Sequence, residues 1–470
     1  MSAASAAAAP DRAGERGHRS QSAGRRPLRS IAFYGVAAVI LVSAVPNGSD
    51  EEWQKLLVAA ALCVFAIVGT VDGVIHRDFR FAASRLLLPL VAVLALAAVQ
   101  IANIPGIAGP VSSDPYATLG FAIVFAGLLA AGEILFRTAD SQMRILSLIV
   151  LVLVIGVASA VYGLYYQQFV APQPLPAGYQ SYAQFVNRNH FAVLMEMVLG
   201  LVLGIVLKSG FPPAVKAAGW AIAGFITYSL IAANSRGGLI TLGALSVFAV
   251  ILYAVTRRRR GTSAKGSRSP LFGRIAATAA VCVLVLGIVI VMIAFVGGDR
   301  AVTRIEKLKD EVAPVDVSKT NRKLIWLSTV ELIKDRPILG SGFGAYSTAI
   351  TKFDISGGEF RLQQAHNDYL ELLAGGGVVG FLLFAVFGLL LAIRLINNLR
   401  SQDALVRAAA FGGTVGIFGV LVHNVVDFGL HVMVNALVFA VLIVVATATP
   451  AGTTEKLSNP SPRRRAVRSS

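Results

Sequence analysis

Residues 321–380 read NRKLIWLSTVELIKDRPILGSGFGAYSTAITKFDISGGEFRLQQAHNDYLELLAGGGVVG, a long polar, mixed-charge stretch set between apolar runs. Whatever chemistry the chain performs in water is expected here. Leu324, Leu327, Val330 and Ile333 recur at helical spacing, and Asp335, Arg336 and Pro337 stop the helix that this spacing predicts. A glycine turn follows at Gly340, Gly342 and Gly344. From Arg361 to Leu373 a second helical pattern places His366, Tyr369, Leu370 and Leu373 on one face, before Gly375, Gly376 and Gly377 break it and an apolar run begins. On this reading His366 stands about two and a half turns above the start of that run, at roughly 1.5 Å per residue, near a membrane surface.

Outward from this stretch the chain is lipid-soluble. Of its 470 residues 56% are hydrophobic and 14% charged, with mean hydropathy +0.70, whereas soluble domains carry about 25% charged residues. Apolar runs of the length that crosses a bilayer, about 17 to 25 residues, fall near 31–46, 54–70, 84–104, 117–136, 145–166, 190–207, 217–234, 237–256, 275–296, 378–393, 406–424 and 432–448. The expected fold is therefore an all-α polytopic membrane protein of about 12 transmembrane helices, with one large, mainly helical extracytoplasmic loop between helices 9 and 10. The expected organisation is a disordered basic cytoplasmic tail (1–30), helices 1–9 (31–296), the large periplasmic loop (297–377), helices 10–12 (378–448) and a second basic cytoplasmic tail (449–470).

The net charge of +17 invites a nucleic-acid reading, but its distribution opposes one. The basic residues gather in alternate loops, most densely at Arg257, Arg258, Arg259 and Arg260, and in the two tails. That is the positive-inside pattern of a membrane topology, with both termini cytoplasmic. Cys63 and Cys282 both lie in apolar runs and read as small packing residues. No visible period repeats, and the long loop interrupts the helices after nine rather than midway, which counts against a two-half transporter.

Several polar residues stand where they are costly. Arg236 lies in a very short turn between two apolar runs. It reads either as a phosphate clamp, which the planar guanidinium suits, or as an interfacial arginine snorkelling to lipid headgroups; the adjoining Gly237 and Gly238, which allow close approach, favour the clamp. Arg188 and Arg322 are similar cases. His366 has the neutral-pH titration that a general base requires, although a lone histidine is often structural. Asn367 and Glu371, four apart, could pair along a helix, and Tyr369 reads as packing or as a sugar platform. His423, Asp427 and His431 cluster at the last short turn; the 423/427 spacing suits a metal pair sharing a helix face, but with no evident third ligand they read as a polar lining of a site mouth. Glu196, inside an apolar run, reads as functional or as the partner of an arginine such as Arg236. Gly340-Ser-Gly-Phe-Gly344 lacks the Lys-Ser/Thr of a phosphate loop, and the chain has no Asp-x-Asp.

Arg322 with Trp326, the run Pro337 to Gly344, and His366-Asn367 with Gly377 eleven positions on form a pattern that resembles the O-antigen ligase and polymerase family of bacterial membrane glycosyltransferases. Asn187-Arg188-Asn189-His190-Phe191-Ala192 and Asn234-Ser235-Arg236-Gly237-Gly238-Leu239-Ile240 add to it, with Ile240 where the family pattern has leucine. The resemblance spans about residues 185–430. It implies a bacterial inner-membrane enzyme of lipopolysaccharide biosynthesis that moves a glycan from an undecaprenyl-diphosphate carrier to a glycolipid or glycan acceptor, with no cofactor or metal and no nucleic acid. His366, Arg236 and Arg322 would be catalytic; Arg188, Asn189, Asn367, Tyr369 and Asp427 would bind substrate. A polymerase of the same family and a twelve-helix transporter are the alternative readings.

Overall fold

The computed structural model describes residues 26–45, 47–78, 84–102, 111–172, 180–257, 322–354 and 362–450, with isolated helical positions between 279 and 290. The protein is a polytopic membrane protein. Among the described residues eight helices are long and apolar enough to cross a bilayer: α2 (Glu52–Ile75), α4 (Pro115–Thr138), α5 (Gln142–Tyr165, continued by a π-helical turn to Val170), α6 (Arg188–Lys208), α7 (Pro213–Ala232), α8 (Arg236–Thr256), α10 (Asp368–Leu399) and α11 (Ala404–His423). The apolar helices α1 (Pro27–Ser43), α3 (Ser84–Ile101) and α12 (Met433–Thr447) are shorter, and α9 (Arg322–Asp335) is polar. The apolar run expected at 275–296 and the loop from 297 to 321 lie outside what the structure describes as continuous chain, as do the tails before residue 26 and after residue 450.

The bundle is built around α6, which packs on α7, α8 and, most extensively, α11. Small residues make that seam. A Cβ at Gly204 would stand 2.2 Å from the Ala408 carbonyl oxygen, and one at Gly200 only 2.4 Å from the Gly416 nitrogen. In lipid, where apolar side chains gain little by leaving the solvent, such close backbone approach is what helix association rests on.

Two expectations from the sequence meet their outcome here. The helix expected here forms as α9 and ends at Asp335; its buried face is Leu324, Ile325, Ser328, Thr329 and Leu332, while Leu327 is 49% exposed. Steps of three residues fall about 60° short of a full turn, so positions 324, 327, 330 and 333 spread around half the helix. The buried stripe is also held by hydrogen bonds, from Trp326 Nε1 to the Ala365 carbonyl (3.0 Å) and between Thr329 Oγ1 and the Tyr346 hydroxyl (2.7 Å).

The second concerns the helix expected from Arg361. Residues 362–367 are not helical; α10 starts at Asp368, capped by Asn367, whose Oδ1 accepts from the Tyr369 and Leu370 amides at 3.0 and 3.1 Å. The glycine run does break the helix, as expected, at Gly377, where φ is +60° and ψ −166°. Beyond that kink helical structure resumes and runs to Leu399. The backbone groups freed by the kink bond to the turn after α9: Val378 N to Pro337 O (2.8 Å), Ser341 N to Ala374 O (2.8 Å) and Gly342 N to Gly375 O (3.0 Å). Buried Gln100 of α3 closes the joint, donating to Leu339 O and Gly375 O and accepting from Phe343 N. The Gly340–Gly344 turn is thus a socket for a kinked membrane helix.

Candidate functional site

Polar residues from five elements meet at one end of the bundle, at the starts of α6, α8, α9 and α10 and in the turn between α11 and α12. At the centre is Asp427, fully buried. Its Oδ1 accepts from the Phe428 amide at 2.9 Å and lies 3.9 Å from His190 Nε2; its Oδ2 accepts from Asn189 Nδ2 and stands 4.0 Å from Arg322 Nη2. Burial alone would raise this carboxyl, but His190, His423 and Arg322 outweigh it and hold the pKa below the ordinary aspartate value, so the group is an anion. It anchors a guanidinium and an amide from two different helices.

The local sequence explains how these side chains arrive. Asn187 caps α6, accepting from the Asn189 amide at 2.9 Å, which places Arg188, Asn189 and His190 in the first turn. Ser235 caps α8 by accepting from Gly238 N at 3.1 Å and donates its hydroxyl proton to Asn189 Oδ1 at 2.6 Å, tying the two helix starts together. Arg236 is the first residue of α8 and is half-buried. Arg188 Nη2 donates to Gln180 Oε1 at 2.8 Å. Asn234, before the cap, takes a left-handed φ of +56°.

His366 does not ride on a helix. It precedes the Asn367 cap with φ +51°, a conformation that non-glycine residues adopt only when their surroundings hold them there. Its ring packs edge-on against Phe428 at 5.0 Å, and Phe428 also carries His190 at 4.9 Å and His431 at 5.7 Å. Burial lowers the His366 pKa, with Asp427 opposing and Arg322 reinforcing the shift. The imidazole is therefore neutral near pH 7, the state in which it can take a proton. Its Nδ1 is buried without a hydrogen-bond partner.

Other sequence readings resolve differently. Asn367 and Glu371 do not pair along the helix: Asn367 is the cap, and Glu371 accepts from the Ala365 amide at 2.9 Å and faces His431. Tyr369 donates its hydroxyl to the Leu421 carbonyl at 2.7 Å, fastening α10 to α11. His423 and Asp427 share no helix face, because α11 ends at His423 and Asp427 lies beyond the turn that follows. Among the described residues no three His, Cys, Asp or Glu side chains stand close enough to hold a metal ion. His431 lies 3.4 Å from Asp368; burial would lower its pKa, but Glu371 and Asp368 outweigh burial and raise it to about 9. Glu196 pairs with His423 (Oε1 to Nδ1, 2.8 Å, both fully buried) rather than with an arginine. The only sequence signal for that pair was two ionisable residues in apolar helices, which need partners but do not name them. His190 and Ser235 were missed as site residues, although each adjoins one that was chosen.

A family model described as O-antigen ligase matches residues 221–385. The matched stretch contains Arg236, Arg322 and His366 and stops short of Asn189 and Asp427. No curated protein matches the chain.

Proposed function

We propose, from the match of residues 221–385 to the O-antigen ligase model, that the protein is a glycosyltransferase that moves a glycan from undecaprenyl diphosphate to an acceptor hydroxyl of lipid A-core or a related glycolipid, at the periplasmic face of the bacterial inner membrane. The observation that carries this reading is the convergence on one buried turn. Arg322 faces Asp427 at 4.0 Å and His366 packs on Phe428 at 5.0 Å, each from a separate element, beside the helix start that bears Arg236. Basic residues at the opposite end of the bundle support placing the site outside the cytoplasm.

In this reading the diphosphate is the leaving group. Arg236 and Arg322, with Arg188 at the rim, hold it and stabilise the charge it gains as the bond to the anomeric carbon breaks. Asp427 fixes Arg322 and, through Asn189, the start of α8. Neutral His366 takes the proton of the acceptor hydroxyl as that oxygen attacks the anomeric carbon from the opposite side, so the new bond has inverted configuration. The carrier's isoprenoid chain lies among the helices, and α9 with its following turn caps the site and orients the acceptor.

The test is glycan transfer by the purified protein in nanodiscs, with a lipid-diphosphate oligosaccharide donor, candidate acceptors and chelator present. Arg322→Ala and His366→Ala are expected to lose about 100- to 10,000-fold in rate, the range for an oxyanion-type donor or a general base. The acceptor that works separates a ligase from a polymerase. Unchanged rates in both variants sink the site assignment, and substrate flux across vesicles without any transfer would make the protein a transporter.

A further inference from the structure

Beneath the site lies a buried pair of ionisable side chains that the proposed reaction does not use. Glu196 sits two turns inside α6 and His423 ends α11; both are fully buried, and they meet at 2.8 Å. Packed apolar residues would hold that position at lower cost, so a buried pair of this kind points to a need for defined geometry. Its surroundings show what is defined. The far edge of the His423 ring lies against the start of α8: a Cβ on Gly237 would stand 2.7 Å from Nε2 and 3.2 Å from Cδ2. Gly237 directly follows Arg236. On the other side, Gly419 leaves room for Glu196, whose Oε2 would lie 3.7 Å from a Cβ there.

We propose that Glu196 is a positioning residue: it locks the His423 imidazole against Gly237 and so sets the place at which α8 presents Arg236 to the substrate. The α8 start is then gripped from two sides. Ser235 bonds to Asn189 and through it to Asp427 on the outer side, and His423, held by Glu196, bears on Gly237 from within. This inference rests on the reading of Arg236 as a ligand of the transferring diphosphate. Since that contact strengthens as the leaving group gains charge, a displaced Arg236 lowers kcat more than it raises the donor KM.

The experiment is a mutant cycle on glycan transfer by the full-length protein, with melting temperature as the folding control. Glu196→Gln, nearly isosteric, is expected to lower kcat about tenfold with donor KM within about twofold. In an Arg236→Ala background the same change is expected to cost less than about twofold, because the residue it acts through is gone. Gly237→Ala is expected to lower kcat by forcing His423 aside, and His423→Ala to recover part of that loss by making room, a test that stands even where Glu196→Gln folds poorly. The inference is overturned if Arg236→Ala abolishes transfer while Glu196→Gln leaves kcat unchanged, if Glu196→Gln costs the same factor with and without Arg236, or if the Gly237 and His423 changes simply add. If Arg236→Ala itself leaves transfer intact, the reading of the site and this inference fall together.

Discussion

The two ends of the helix bundle are built from similar residues to opposite effect. At the end where α1 begins and α4 gives way to α5, arginines meet aspartates: Arg26 with Asp78 at 2.9 Å, and both Arg29 and Arg144 with Asp140 at 2.8 and 3.3 Å, with further bonds from Arg137 and Arg144 to backbone carbonyls. At the other end His190, Asn234, His366 and Asn424 each keep a buried polar atom without a hydrogen-bond partner, and His366 and Asn234 hold left-handed backbone conformations. Unmet polar groups and strained dihedrals cost stability, and structures retain them where a function needs them. On the proposed reading, the first end ties helices together, while the buried polar atoms left over at the second serve a polar substrate.

If that contrast is right, the largest effect among the supporting residues belongs to Asp427. Asp427→Asn keeps the size of the side chain but removes the charge that holds Arg322, and it leaves the carboxamide to compete with Asn189 for its bonds. Transfer is expected to fall about 100-fold, within the range for misplacing a group that stabilises the leaving charge. An Asp427→Asn rate within about threefold of wild type would mean that Arg322 is positioned without it and that the buried carboxylate is packing alone.

A smaller effect sharpens the comparison through pH. Burial, reinforced by Arg322 and opposed by Asp427, depresses the His366 pKa from 6.5, so the imidazole stays neutral on lowering the pH until that depressed value is reached. A His366 base therefore predicts a kcat/KM that is level near neutrality and falls up to tenfold per pH unit only below pH 6.5. His366→Ala should abolish this acid limb in the residual rate. A limb centred above pH 7 would assign the base to another group, and the raised His431, at about 9, would then be the first to mutate.

Much of this contrast was legible in the sequence, and the missing part has a common physical cause. Hydropathy located the apolar helices because bilayer thickness fixes run length. The motif residues Arg188, Asn189, Arg236, Arg322 and His366 fell at helix starts that the structure gathers at one end. What the linear pattern could not give was pairing across the bundle. Glu196 finds His423, Asn189 finds Asp427 and Gln100 finds the Gly340–Gly344 turn, each across more than two hundred residues. Nor could it give the left-handed backbone at His366, since a helical spacing from Arg361 to Leu373 reads the same whether or not a cap at Asn367 interrupts it. The buried side of α9 was not assigned from the spacing; there Leu324, Ile325 and Leu332 pack inward beside hydrogen bonds from Trp326 and Thr329.

The smallest predicted effect belongs to the paired end, and its smallness is the test. Asp140 takes two arginines, Arg29 and Arg144, yet its side chain is 42% exposed. In solvent the attraction of such pairs is largely offset by screening and by the entropy of holding long side chains, so each is worth about 0–1 kcal/mol. Asp140→Asn is accordingly expected to shift the melting temperature by no more than a few degrees and to leave glycan transfer within about twofold of wild type. A loss of transfer comparable to that of Asp427→Asn, with melting unchanged, would show that the two ends are coupled through the bundle. The route would run along α5, which starts beside Asp140 and whose Gly156 packs on Val198 of α6, two residues from Glu196. Under that outcome the basic end would cease to be a mere anchor and would become part of the machinery that sets the site.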